Sequence, residues 1–273
     1  MMKQYEIPLS FKTIIKYISI NKFDTLSGQI AKEGIITKEE HLENTEVSKA
    51  CGKIAESAAA RFSTIAEGEL GVIFDENGID IYSAIQEKAV ILFILNPLIY
   101  PEISPIMGRL ALIDAKQAVS KCFDSGLERA FYIFDEISSY ASPALIDLVN
   151  KSRSANITAI LATQSLSDFE YSYNEAFKEQ VIENCNNYIV LRQNSSKNAE
   201  EWASVLGTRH SIDVTYQIEQ QSRMTNTTGL GSARRVREYI YHPDDIKNLK
   251  VGKGFFMSKD MEYHCRLDIN KPF

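Results

Sequence analysis

Phe131-Tyr132-Ile133-Phe134-Asp135-Glu136 is an apolar run that ends in two adjacent carboxylates, and Ile157-Thr158-Ala159-Ile160-Leu161-Ala162-Thr163-Gln164 follows one element later. An apolar run bounded by polar residues is the signature of a strand buried on both faces of a parallel sheet, whose C-terminal edge is where ligands bind. Consecutive strand residues point to opposite sides, so Asp135 and Glu136 reach one ligand only where the strand gives way to a loop. The polar Ser138-Ser139 supports such an ending. Phosphoryl-transfer chemistry gives the pair a division of labour. The first carboxylate holds Mg²⁺ through its water shell, and the second orients or deprotonates the attacking water. A solvated turn is the ordinary alternative for an isolated Asp-Glu pair.

A polar side chain at the tip of the neighbouring strand can touch that water or the terminal phosphate, and Gln164 is positioned for it. Between the two strands, Pro143 to Asn156 reads as a helix with Leu145, Ile146, Leu148 and Val149 on one face. Arg153 lies near its end. It is either a cation stabilised by the helix C-terminus or an arginine that reaches a phosphate across a subunit boundary.

In order, Asp135-Glu136, Asn150-Lys151-Ser152-Arg153-Ser154-Ala155, Ala162-Thr163-Gln164-Ser165-Leu166, Glu183 to Arg192, Gly231-Ser232 and His242-Pro243-Asp244-Asp245-Ile246 resemble the type IV secretion coupling proteins. These are the TraD/TraG-like conjugation ATPases, and the resemblance runs roughly from position 69 to 257. It implies Walker B roles for Asp135 and Glu136, a sensor role for Gln164 and an arginine-finger-like role for Arg153. The implied fold is α/β, a RecA-like P-loop NTPase sheet, mostly parallel, with helices on both faces and a small all-helical subdomain before it. On that pattern residues 1–68 are part of an all-alpha domain and 69–273 are the Walker B half of the nucleotide-binding domain. The implied cofactors are ATP and Mg²⁺. The implied partners are single- or double-stranded DNA, relaxase and relaxosome proteins and type IV secretion channel proteins. The complete protein is expected to be a homo-hexameric DNA translocase at the cytoplasmic face of a bacterial inner membrane.

One part of the pattern is missing from these residues. No Gly-x-x-x-x-Gly-Lys-Ser/Thr loop is present: Gly52-Lys53 is followed by Ile54 and has Val47 at the first glycine position, while Gly252-Lys253 is followed by Gly254 and has Lys247 there. Without that loop the backbone N–H cradle, the phosphate lysine and the hydroxyl ligand of Mg²⁺ are missing. The chain alone is therefore expected to hydrolyse ATP poorly or not at all. In the family the loop lies upstream, so the chain is expected to begin inside the helical insertion. A stand-alone, ATPase-deficient adaptor binding relaxosome or channel proteins is the alternative.

With 273 residues and 44% hydrophobic content the chain can bury a sizeable interior. Its net charge of −6 argues against coating nucleic acid over the whole surface, though a translocase needs only a basic channel. The clearest basic feature is Arg234-Arg235 with Arg237, followed by Tyr239 and Tyr241, on a strand over Val236 to Tyr241. It is either a solvated strand face or a phosphate or subunit contact. Cys51, Cys122, Cys185 and Cys265 are scattered, which favours reduced thiols in cytoplasm, and His41, His210, His242 and His264 have no metal-ligand spacing. The longest apolar run, Ala89 to Leu95, is far short of the roughly 20 residues of a membrane span, so the polypeptide is expected to be soluble.

Phe11 to about Phe62 has helical patterning, with Lys38-Glu39-Glu40 expected between helices. Gly71 to Ser83 reads as a hairpin whose second strand is Ile79 to Tyr82, and Ala89 to Leu95 as a buried strand. Ile103 to Phe123 reads as a helix completing a βαβ unit with the carboxylate strand. Further on, a helix near Asn198 to Leu206 closes at Gly207, strands fall at Tyr188 to Arg192 and Gly254 to Met257, and Gln217 to Gly231 reads as a mobile loop.

Overall fold

The computed structural model describes residues 7, 10–66, 78–123, 129–221 and 224–270, with backbone only at 20, 216–221 and 224–230. Two compact units divide between Ile103 and Ser104.

The described elements of the first unit are helices: α1 (Phe11–Ile18), α2 (Ile20–Lys32), α3 (Lys38–Ala50) and α4 (Gly52–Ala66), where the apolar spacing from Phe11 to Phe62 predicts helix, and α5 (Ile81–Gln86). Lys38-Glu39-Glu40 do not separate helices. They form the first turn of α3, because Thr37 and Glu40 close a capping box there. α2 packs on α3, and α1 packs on α2 and α4, with Phe11 and Phe62 rings 5.6 Å apart. The expected hairpin is corrected where it can be followed: Ile81 and Tyr82 open α5, and the Asp80 carboxylate accepts from Ser83 N, so a capping aspartate outweighs two residues of alternation. Its first strand lies outside the described residues. Ala89 to Leu95 is also corrected. It belongs to no sheet and is exposed, Val90 to 96%, because it has no strand partner among the described residues.

The second unit begins with α6 (Ile103–Cys122) and continues with β1 (Ala130–Phe134), α7 (Pro143–Ser152), β2 (Ile157–Leu161), α8 (Leu166–Ser172), α9 (Glu175–Glu183), β3 (Asn187–Val190) and α10 (Ser196–Leu206). It is completed by β4 (Thr208–Gln221), β5 (Met224–Tyr239), α11 (Pro243–Lys247), β6 (Lys253–Ser258) and β7 (Tyr263–Asp268). The chain is thus α/β, and β1 and β2 run parallel with Phe134 opposite Leu161. Among the described residues parallel pairing is confined to these two strands. β3–β6–β7 and β4–β5 are antiparallel.

β1 is not buried on both faces. The Tyr132 hydroxyl donates to Ala115 O of α6, which covers one side, while Phe131 and Ile133 on the other are exposed, Ile133 to 71%. The β3–β6–β7 sheet instead carries its own core, in which Val190, Tyr241 and Phe255 pack with Ala199, Ala203 and Leu206 of α10 and Ile246 of α11. Gly207 closes α10 at φ +96°, a conformation that favours glycine. The expected loop at Gln217 to Gly231 is corrected as well: the described backbone there continues both strands of the β4–β5 hairpin, with a register shift near Tyr216.

Candidate functional site

β1 ends at Phe134, and Asp135 and Glu136 form the turn beyond it, so both carboxylates leave the strand at its C-terminal edge. Glu136 holds a left-handed backbone, φ 47° and ψ 41°, a region non-glycine residues seldom occupy and one that clusters at functional sites. The turn is fixed on both sides. Ala162 N donates to Phe134 O at 2.8 Å, and Ile137 N to Ala162 O at 3.0 Å, so the loops after β1 and β2 are stitched together. That stitching brings Gln164 to the carboxylates: its Nε2 donates to Glu136 Oε1 at 3.1 Å. Glu136 N donates to Asp135 Oδ1 at 3.1 Å, which orients the first carboxylate. All three side chains are exposed at this edge and open to solvent-borne ligands.

Sequence reasoning missed the groups that hold this edge in place. The Tyr140 hydroxyl donates to Asp135 O at 2.9 Å, and burial, then the Asp135 and Glu136 charges, push its phenol up to about 12. Its ring lies so close to α6 that a Cβ on Gly108 would meet it at 2.5 Å, which explains a glycine inside that helix. On the other strand, the Ser165 hydroxyl accepts from Ser167 N at 3.1 Å, and Ser165 N donates to Asp168, a capping box that starts α8 one residue after Gln164. Buried Asn198 of α10 clamps this start, its Nδ2 donating to Ser165 Oγ at 2.6 Å and its Oδ1 accepting from Ser167 Oγ at 2.7 Å. Beside it Lys178, only 2% exposed, pairs with Glu201 of α10 and lies 3.6 Å from Glu170 of α8. Burial pulls the Lys178 ammonium down, but the Glu201 hydrogen bond and charges outweigh it and the net shift is upward. The Ser165-x-x-Asp168 spacing was a local signal that could have been read. Asn198 and Lys178 act at a distance in sequence and gave none.

Arg153 is elsewhere. It ends α7, just before the N-terminal start of β2, and five strand residues, roughly 16 Å at the usual rise, separate that edge from the Gln164 edge. It is exposed and makes no ion pair among the described residues. Arg234 and Arg235 lie on β5, opposite Asp213 and Ile212 respectively, and no described ion pair or hydrogen bond joins them to the carboxylates. No cluster of three or more metal-ligating side chains occurs among the described residues, nor a helix there long and apolar enough to cross a membrane.

Comparison with known proteins gives this arrangement a context. Residues 129–251 match the family described as the TraM recognition site of TraD and TraG. An uncharacterized protein of Mycoplasma pneumoniae is 28% identical over 116 residues, 42% of this chain and 75% of that protein. Among solved structures, the unbound bacterial conjugative coupling protein TrwB is similar over 100% of this chain and 60% of its own, with a TM-score of 0.62 and 17% identity. TrwB in complex with ADP and Mg²⁺ matches over 97% of this chain and 58% of its own, with a TM-score of 0.60 and 18% identity. The chain thus spans about 60% of the length of these structures, and at such identity they establish the shared RecA-like fold. Fold and family match point the same way: residues 129–251 resemble the TraM recognition site of TraD and TraG, on a fold shared with the coupling protein TrwB.

Proposed function

We propose that the chain supplies the carboxylate-bearing half of the motor in a conjugative coupling ATPase, with residues 69–273 forming that half and 1–68 belonging to a helical insertion. The observation that carries this reading is the 3.1 Å hydrogen bond between Gln164 and Glu136 at the C-terminal edge of a parallel strand pair. An amide and a carboxylate held there can share one water placed for in-line attack on a terminal phosphate. Glu136 orients or deprotonates that water, and Gln164 senses the phosphate. Asp135 would hold Mg²⁺ through its water shell. The donor set fits this ion, which takes one or two carboxylates and completes its shell from water and substrate phosphates rather than from a protein cage. Bound there with ATP, the ion would supply charge neutralisation at the phosphates.

The phosphate cradle comes from sequence outside these residues, since no Gly-x-x-x-x-Gly-Lys-Ser/Thr loop lies within them. TrwB complexes with ADP and Mg²⁺ and with nucleotide analogues support a nucleotide here. Because Arg153 lies at the opposite strand edge, it acts on a neighbouring subunit of a homo-hexamer. The assembled motor moves single- or double-stranded DNA at the cytoplasmic face of the inner membrane, between relaxosome proteins and the secretion channel. The match to a TraM recognition site supports the relaxosome contact.

In a protein completed with the phosphate loop, Glu136→Gln should retain ATP binding while turnover falls by about 10² to 10⁴, the range for a lost general base. Retained turnover would remove Glu136 from the proposed role.

A further inference from the structure

The β4–β5 ribbon has two unlike faces. In antiparallel pairing, directly opposite residues share a face, and faces alternate along each strand. On one face Asp213 stands opposite Arg234 and Glu238 opposite Arg209, so each cation has an anion across from it. On the other, Thr208 stands opposite Tyr239, His210 opposite Arg237, Ile212 opposite Arg235 and Val214 opposite Ala233. No acidic residue interrupts that second face at those positions. Its arginines are exposed, and so are Ile212 (65%), Val214 and Tyr239. An isolated two-stranded ribbon is marginally stable in water, and this one presents arginines with no acidic residue opposite them beside exposed apolar surface.

We propose that the face carrying Arg235, Arg237 and Tyr239 is a docking surface for a nucleic-acid strand, the arginines holding phosphates and the tyrosine offering a ring to a base. Charge complementarity identifies the partner. The whole chain carries −6 and repels a polyanion over most of its surface, while the positive charge of this face is left uncancelled across the ribbon. Arg235, Arg237 and Tyr239 recur every second residue, about 6.8 Å apart at the antiparallel rise, a regular row suited to a regularly repeating phosphate chain. The register separates Arg234 from this row and places it on the face where Asp213 stands opposite it. The ribbon is also well placed. It leaves α10 at Gly207, and α10 carries the Asn198 that clamps the loop after Gln164.

This inference rests on the nucleic-acid part of the proposed function. It is tested by fluorescence anisotropy of labelled single-stranded and duplex DNA titrated with the 273-residue chain at several salt concentrations, with a circular dichroism melt as the folding control. The double variant Arg235→Ala/Arg237→Ala should bind about tenfold or more weakly and lower the slope of log affinity against log salt by about 2, one for each lost phosphate contact. Arg209→Ala, on the opposite face, should change affinity by less than about threefold. The proposal is overturned if the double variant binds as the parent does, if Arg209→Ala loses as much, or if labelled polyglutamate rather than DNA is bound through Arg235 and Arg237. ATP turnover, which tests Asp135 and Glu136, is not read in this titration, so either reading can fail alone.

Discussion

Two small sheets in the Ser104–Phe273 unit have strands of similar length and opposite surroundings: Phe255 on β6 is 1% exposed, whereas Ile133 on β1 is 71% exposed. β3–β6–β7 closes over α10 and α11, and Tyr241 stacks on Phe255 with centroids 4.0 Å apart. β1–β2 has α6 against its Tyr132 side and leaves Phe131, Ile133 and Ile160 bare. The first sheet holds the unit together. The second carries the Asp135-Glu136 turn at its C-terminal edge and leaves an apolar face bare, as the proposed half-site requires of a surface that a phosphate-loop half would cover.

The contrast can be broken by removing comparable side chains from each sheet. Phe255→Ala empties the packed core and should lower stability by about 3–5 kcal/mol, measured by urea unfolding. A loss below about 1 kcal/mol would show that the lobe is not the stabilising body. Asn198→Ala, between the two regions, strips the Ser165 and Ser167 hydroxyls of a buried partner and should cost about 1–3 kcal/mol. In a protein completed with the phosphate loop it should also lower kcat more than it raises KM, because the loop after Gln164 loosens. Unchanged kcat would reduce the clamp to a structural role. Ile133→Ala, the smallest effect, should change stability by less than about 1 kcal/mol, as its side chain stays largely in water. A core-sized loss there would mean that the face is covered in solution.

What the residues revealed in advance was local. The apolar runs at Phe131 and Ile157, each with its polar ending, located β1, β2 and the Asp135-Glu136 turn, and Gly207 located the end of α10. The Glu136–Gln164 meeting followed from two adjacent parallel strands. What escaped was non-local: the Asn198 clamp lies 33 residues from Ser165, and buried Lys178 lies 23 from Glu201. Ile79 to Tyr82 was misread because brief alternation outweighed the Asp80 cap. Ala89 to Leu95 was misread because apolar composition does not by itself supply a pairing partner.

The most direct measurement is Mg²⁺-dependent ATP turnover by the chain alone and by the chain joined to a phosphate-loop half. The completed protein should hydrolyse ATP and lose roughly 10² or more of that rate with Glu136→Gln, while the chain alone shows none above background. Turnover by the chain alone, or a completed protein indifferent to Glu136→Gln, would contradict the assignment of the Asp135-Glu136-Gln164 edge as half of a hydrolytic site.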